Sequence, residues 1–202
     1  MNGSNRFPSD LEDRFVHQLE FIIEIDRLKE VYRQSYVLHA DRRENSAEHS
    51  WHLALAAWLL AEHANQPIEV SRVIRMLLVH DLVEIDAGDT FIYDLAGNLE
   101  KAVKEKKAAD RIFGLLPPDQ REEWRTLWEE FESRSTAEAR FAQALDRLLP
   151  ILHNYFTDGR SWKEHGITRE QALEKNAPIN EGSHNIWKIA KALICDGLPA
   201  PG

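Results

Sequence analysis

The chain has 202 residues, 43% of them hydrophobic, and a formal net charge of −9 from 34 acidic against 25 basic side chains. A chain this long can bury one sizeable core without disulfides, and its single cysteine, Cys195, excludes an internal bridge and fits a reducing compartment. The acidic balance argues against a broad grip on duplex nucleic acid, and no apolar run approaches the roughly 20 residues that a membrane span needs.

Residues 1–9 are polar, carry no signal-type apolar run and are expected to form a flexible tail of a cytoplasmic protein. Pro8-Ser9-Asp10 is expected to open a first helix in which Leu11, Phe15, Leu19, Ile22, Ile23, Leu28 and Val31 turn an apolar stripe to a core. Tyr32 to Asn45 is polar and aperiodic and reads mostly as a loop, the kind of segment that often carries ligand contacts. Ser46 to His63 reads as a helix with Trp51, Leu55, Trp58 and Leu59 on its apolar side. The next helix runs from about Ile68 into Leu78-Val79-His80-Asp81-Leu82-Val83-Glu84 and ends or bends at Gly88.

After a loop to about Gly97, a lysine-rich helix over 98–113 and a helix introduced by Pro117-Pro118-Asp119 follow. Ser135 with Glu138 forms a capping-box signature for a helix carrying Phe141, Leu145, Asp146, Leu148 and Leu149, and Pro150 should kink that helix. Thr168 with Gln171 caps a shorter helix, and Ser183 to Cys195, stopped by Gly197, makes the last. No alternating β pattern or repeat stands out. The expectation is an all-α single domain over residues 10–197, with about seven to nine helices and a C-terminal tail at 198–202.

Polar groups at the end of an apolar helix are costly unless they are paired, hydrogen-bonded or bound to a metal. Taken alone, His80-Asp81 fits a satisfied polar pair better than a ligand pair. Adding His49, in the first turns of one helix, and Asp146, an acid inside another apolar helix, gives two imidazoles and two carboxylates. Such a set suits a divalent ion with open positions: manganese, iron or cobalt foremost, with magnesium or zinc as alternatives. Glu84 lies four residues after His80 and three after Asp81, which projects it to the same side of the helix. A carboxylate there can orient or deprotonate a water, or protonate a leaving oxygen.

His49, His80-Asp81 and Asp146, in that order and spacing, resemble the H…HD…D pattern of the HD-domain metal-dependent phosphohydrolases. Glu44-Asn45-Ser46-Ala47-Glu48-His49-Ser50, together with the stretch from His80 to Asp89, is similar to the branch containing bacterial 5′-deoxynucleotidases and human HD-domain-containing protein 2. The resemblance spans about Leu28 to Tyr155.

It implies an HD-type helical bundle with His49, His80, Asp81 and Asp146 as metal ligands, Glu84 as a catalytic residue, and Asp89 at the catalytic and substrate site. Arg33 and Tyr36 resemble the phosphate- and sugar-contacting pair, although the family aromatic is commonly tryptophan. The implied activity is 5′-nucleotidase action on (deoxy)nucleoside 5′-monophosphates by a homodimer. A phosphodiesterase using the same site, or a nucleotide-binding regulatory module without turnover, are the alternatives.

Overall fold

A helical period recurs along most of the chain. The computed structural model, which describes residues 7–8 and 11–198 and leaves aside the side chains of 95–99, is accordingly built of α-helices. In chain order they are α1 (Asp13–Ile25), α2 (Ser46–Leu60), α3 (Val70–Val79), α4 (Glu84–Ala87), α5 (Leu95–Ile112), α6 (Pro118–Ser133), α7 (Ala137–Phe156), α8 (Arg160–Glu164), α9 (Arg169–Asn176), α10 (Ile179–Gly182) and α11 (His184–Gly197). Eight of these have eight residues or more, in line with the all-α expectation. The anticipated opening at Ser9-Asp10 falls outside the described residues.

Tyr32 to Asn45 is not all loop. It contains a short antiparallel ribbon of β1 (Tyr32–Tyr36) and β2 (Arg43–Asn45), in which Tyr32 pairs with Asn45 and Tyr36 with Arg43. Two strands of five and three residues are too short for their alternation to rise above the polar background. The ribbon ends in a well-made helix start: Asn45 Oδ1 accepts from the Glu48 amide at 2.9 Å, and Glu48 Oε2 accepts from the Asn45 amide at 3.3 Å.

Helix α7 is the spine, packing against α2, α3, α6, α10 and α11. Its inward side chains Phe141, Leu145 and Leu149 join Leu53 and Ala57 of α2, Val73 and Leu77 of α3, and Ile186 and Ile194 of α11 in one core. Fully burying a side chain such as Phe141 is worth about 1.5–3 kcal/mol. A second core gathers Phe21, Leu28, Val83, Ile112, Phe113 and Trp128 beneath α1 and α5. Where α10 crosses α7 only glycine fits, because a Cβ on Gly182 would stand 2.2 Å from the Arg140 carbonyl oxygen.

Three local expectations shift. Thr136, not Ser135, caps α7, its hydroxyl accepting from the Ala139 amide at 3.1 Å, while Glu138 reaches back to accept from the Glu69 amide. Helix α7 continues through Pro150 to Phe156. On α2 the large apolar residues face outward: Trp51, Leu55, Trp58 and Leu59 are exposed, and the inner face is made of Ser46, His49, Ser50, Leu53 and Ala57. Both sides of α2 are apolar, so periodicity could not tell them apart, and the small inner residues are what let α3 approach. Phe15, Ile22 and Ile23 of α1 are likewise exposed, and Phe21 is the side chain this helix buries.

Candidate active site

The site forms where the polar stretch interrupts a helix. Helix α3 stops at Val79, His80–Val83 form a 3₁₀ turn, and α4 ends at Gly88, whose φ of 75° is a left-handed value that glycine adopts without strain. The turn brings His80 and Asp81 to the same centre. Helix α2 supplies His49 from its buried face and α7 supplies Asp146, both packing directly on the α3 region.

Nitrogen and oxygen atoms of His49, His80 and Asp81 all lie within 4.8 Å of one another. Oδ1 of Asp146 stands 2.9 Å from His49 Nε2 and 3.8 Å from His80 Nε2. Each ring is aimed from behind. His80 Nδ1 donates to the Leu77 carbonyl at 2.9 Å, and His49 Nδ1 faces Glu44 Oε2 at 3.3 Å. A proton held on each Nδ1 leaves both Nε2 lone pairs directed at the centre, the tautomer that metal ligation requires. His80 Nε2 is buried with no hydrogen-bond partner among the described residues. Two borderline nitrogen donors and two carboxylates, converging and buried, fit a divalent ion.

The surrounding carboxylates favour positive charge at this centre. Burial disfavours charge on His80, but Asp81 and Asp146 outweigh it and lift its pKa to about 10. Burial likewise opposes ionisation of Asp146, and the two imidazoles override it, holding that carboxyl well below its usual range. Asp81 is lowered against burial by His80 and Arg33. Glu84 goes the other way: burial first, then the charge of Asp81, raise it well above an ordinary glutamate. Its Oε2 accepts from the Ser46 hydroxyl at 2.7 Å. Asp89 is also raised, by burial and by Asp81 against the pull of Arg33. Opposed shifts among neighbouring carboxyls are the pattern by which a site keeps one group charged and another protonated.

These groups open onto a cavity of about 340 Å³ lined by Arg33, His80, Asp81, Glu84, Asp89 and Asp146 and walled further out by Phe91, Tyr93 and Trp162. Its size is within the range of small-molecule sites. Arg33 donates to Asp81 Oδ2 at 2.8 Å and lies 3.7 Å from both Asp89 Oδ1 and Asp146 Oδ1.

Seven of the eight residues singled out in the sequence therefore meet: Arg33, His49, His80, Asp81, Glu84, Asp89 and Asp146. Tyr36 stands apart from the cavity. The ribbon is irregular between Tyr32 and Tyr36: Arg33 lines the cavity, while the Tyr36 hydroxyl donates to Glu164 at 2.9 Å and its ring lies under the Arg160 guanidinium at 3.6 Å. Glu44, behind His49, and Ser46, against Glu84, did not emerge from sequence reasoning. Their signal was position: both sit in the polar stretch Glu44 to Ser50 around His49, and both are buried.

The sequence profile of the HD domain matches residues 25–187. Human 5′-deoxynucleotidase HDDC2 is 35% identical over 135 residues, covering 66% of this chain and 65% of that protein. The 5′-deoxynucleotidase hdd1 of Schizosaccharomyces pombe is 30% identical over 129 residues, covering 61% and 63%. The chain thus spans slightly under two thirds of the length of these curated relatives. A crystal structure of a predicted metal-dependent phosphohydrolase from Magnetospirillum magnetotacticum MS-1 is 52% identical with a TM-score of 0.88, covering 92% of this chain and 93% of that one. A conserved hypothetical protein from Pyrococcus furiosus, 19% identical with a TM-score of 0.61 over 87% of this chain and 98% of that one, shares the fold.

Proposed function

This chain belongs to the HD-domain family, and on that premise we propose that it is a metal-dependent phosphohydrolase that removes phosphate from deoxynucleoside 5′-monophosphates. The observation that carries the reading is the meeting of His80, Asp81 and Asp146, backed by the buried His49, with a Glu84 whose pKa is raised, at the wall of a cavity. The likeness to the 5′-deoxynucleotidases named above supports the substrate class.

A divalent ion held by His49, His80, Asp81 and Asp146, with manganese, cobalt or iron best matched to this donor set, would polarise the phosphate and lower the pKa of a bound water. Glu84 manages the proton. Its Oε2 is occupied by Ser46, so the proton resides at Oε1, positioned for the 5′-oxygen as the P–O bond breaks. Water adds to phosphorus, the 5′-oxygen leaves with the bonding pair and takes that proton, and Glu84 is reprotonated from the water consumed. Arg33 holds the carboxylates apart and offsets phosphate charge, and Asp89 bounds the sugar end of the cavity. Phe91 and Tyr93, 5.1 Å apart edge to face, offer the sugar and base an aromatic wall in place of Tyr36.

The same reading makes the protein a cytoplasmic homodimer. Support comes from α2, a helix apolar on both sides of the kind that sits buried. Its outward Trp58 and Leu59 are 73% and 76% exposed in the single chain. For localisation, the support is a lone cysteine, and among the described residues no helix is long and apolar enough to cross a membrane. A phosphate-release screen of nucleoside monophosphates and phosphodiesters against manganese, cobalt, iron, magnesium and zinc tests the function. Release confined to 5′-monophosphates and abolished in Glu84→Ala is the expected result, and release from diesters alone would reassign the reaction.

A further inference from the structure

The cavity holds a cation that the metal centre does not use. Arg147 follows the ligand Asp146 on α7, about 100° further round the helix, and lines the same cavity. It is partly buried, and its Nη1 donates to the Lys175 carbonyl on α9 at 2.7 Å. That bond fixes the plane of the guanidinium. Nε and Nη2 have no acceptor among the described residues, and no carboxylate there comes within ion-pairing distance.

Arg33 is the contrast, with three carboxylates around it. An arginine keeps its proton even when partly buried, so the edge of Arg147 that has no acceptor among the described residues is available to an anion. Arg134, the left-handed residue that ends α6, lines the same cavity, and its only carboxylate partner among the described residues is Glu181 at 3.9 Å. In a cavity whose lining also carries several carboxylates, these two guanidiniums are donors that an oxyanion could use. The free edge of Arg147 has the planar two-donor geometry that matches a phosphate.

We propose that Arg147 is a specificity-determining residue that recognises the phosphoryl group of the ligand, donating from Nε and Nη2 to its oxygens. This rests on the phosphohydrolase reading in one respect, that the phosphate ester occupies this cavity. The site selects for a dianionic phosphate end and contributes nothing to a neutral nucleoside.

The test uses the manganese-loaded full chain and two probes, inorganic phosphate and deoxyadenosine, titrated calorimetrically into wild type, Arg147→Lys, Arg147→Gln and Arg147→Ala. Thermal melts and metal analysis accompany each variant. Arg147→Ala and Arg147→Gln are expected to weaken phosphate at least tenfold, Arg147→Lys to recover part of the loss, and deoxyadenosine and metal content to stay within twofold of wild type. In turnover, KM for a deoxynucleoside 5′-monophosphate should rise at least tenfold while kcat changes less. Unchanged phosphate affinity in Arg147→Gln, or an equal loss for deoxyadenosine, overturns the proposal. Arg147→Gln keeps the Lys175 contact within reach should Arg147→Ala fail to fold. Arginine-dependent phosphate binding without turnover of any monophosphate would leave this inference standing and remove the proposed activity; turnover with phosphate affinity indifferent to Arg147 would do the reverse.

Discussion

The Ser46 hydroxyl donates to Oε2 of Glu84 across 2.7 Å, tying the first turn of α2 to the start of α4 inside the protein. A hydrogen bond to a carboxylate favours its charged form, and here it partly offsets the burial and the Asp81 charge that raise Glu84. Ser46→Ala should therefore raise Glu84 further. Activity that depends on protonated Glu84 is lost as pH rises through its pKa, so the alkaline limb of kcat/KM should move upward, by about half to one pH unit for one hydrogen bond. A pH–rate profile of the variant checks this, and a downward shift would mean that Ser46 serves the protonated form.

Glu44 is the residue behind His49, with Oε2 3.3 Å from His49 Nδ1 and 3.7 Å from His153 Nδ1. Burial opposes its charge, but the two imidazoles prevail and lower its pKa. Removing a carboxylate that orients a ligating histidine typically costs about 10–100-fold in metal affinity. Glu44→Gln should show a loss of that size in a competition titration with a chelator, and an unchanged affinity would make Glu44 a packing residue only.

The four converging side chains were legible because residue types that can hold a metal are few and because acids and imidazoles inside apolar helices stand out. His49, His80, Asp81 and Asp146 meet as that reasoning required. What stayed hidden depends on direction. Tyr36 was placed beside Arg33 by proximity in sequence, but the irregular ribbon sets Arg33 on the cavity and Tyr36 against Glu164. Helix α2 offered apolar residues on both faces, and only the packing of α3 decides which is inside. Thr136 and Ser135 are equally good caps in sequence, and a one-residue difference in the start of α7 chose between them. Arg147 gave no signal at all, since an unpaired arginine is recognised by what is missing around it.

Glu105, on α5 at the cavity, has its pKa raised to about 7 by burial, with Glu132 adding to the rise and Lys101, 3.5 Å away, opposing it. An acid raised in the folded state contributes stability that is fully present below its unfolded pKa, near 4.5, and is lost as pH climbs to the folded value. The loss falls between about 4.5 and 7. Glu105→Gln should match wild type near pH 4.5 and exceed it at pH 8 by about 1–2 kcal/mol after allowance for solvent screening. Glu132 remains to face Lys101. Thermal melts of both proteins across that range check the prediction, and a constant difference at all pH values would contradict it.

The outward stripe of α2 predicts the assembly. Trp58→Asp with Leu59→Asp introduces charge where the side chains are already open in a single chain, so the fold should survive. Light scattering after gel filtration should report a dimer for wild type and a monomer for the variant with unchanged helicity. A wild-type monomer, or a dimer indifferent to the substitutions, would move the interface elsewhere or remove it.

The central claim is that His49, His80, Asp81 and Asp146 hold an ion beside a proton-bearing Glu84, and that this pairing hydrolyses a phosphate monoester. The most direct test measures bound metal and phosphate release from a deoxynucleoside 5′-monophosphate on the same samples of wild type, Asp81→Ala and Glu84→Gln. Wild type is expected to hold metal and release phosphate, Asp81→Ala to lose both, and Glu84→Gln to keep full metal with release reduced at least about a hundredfold. Undiminished release from metal-free protein, or from Glu84→Gln with its metal in place, would contradict it.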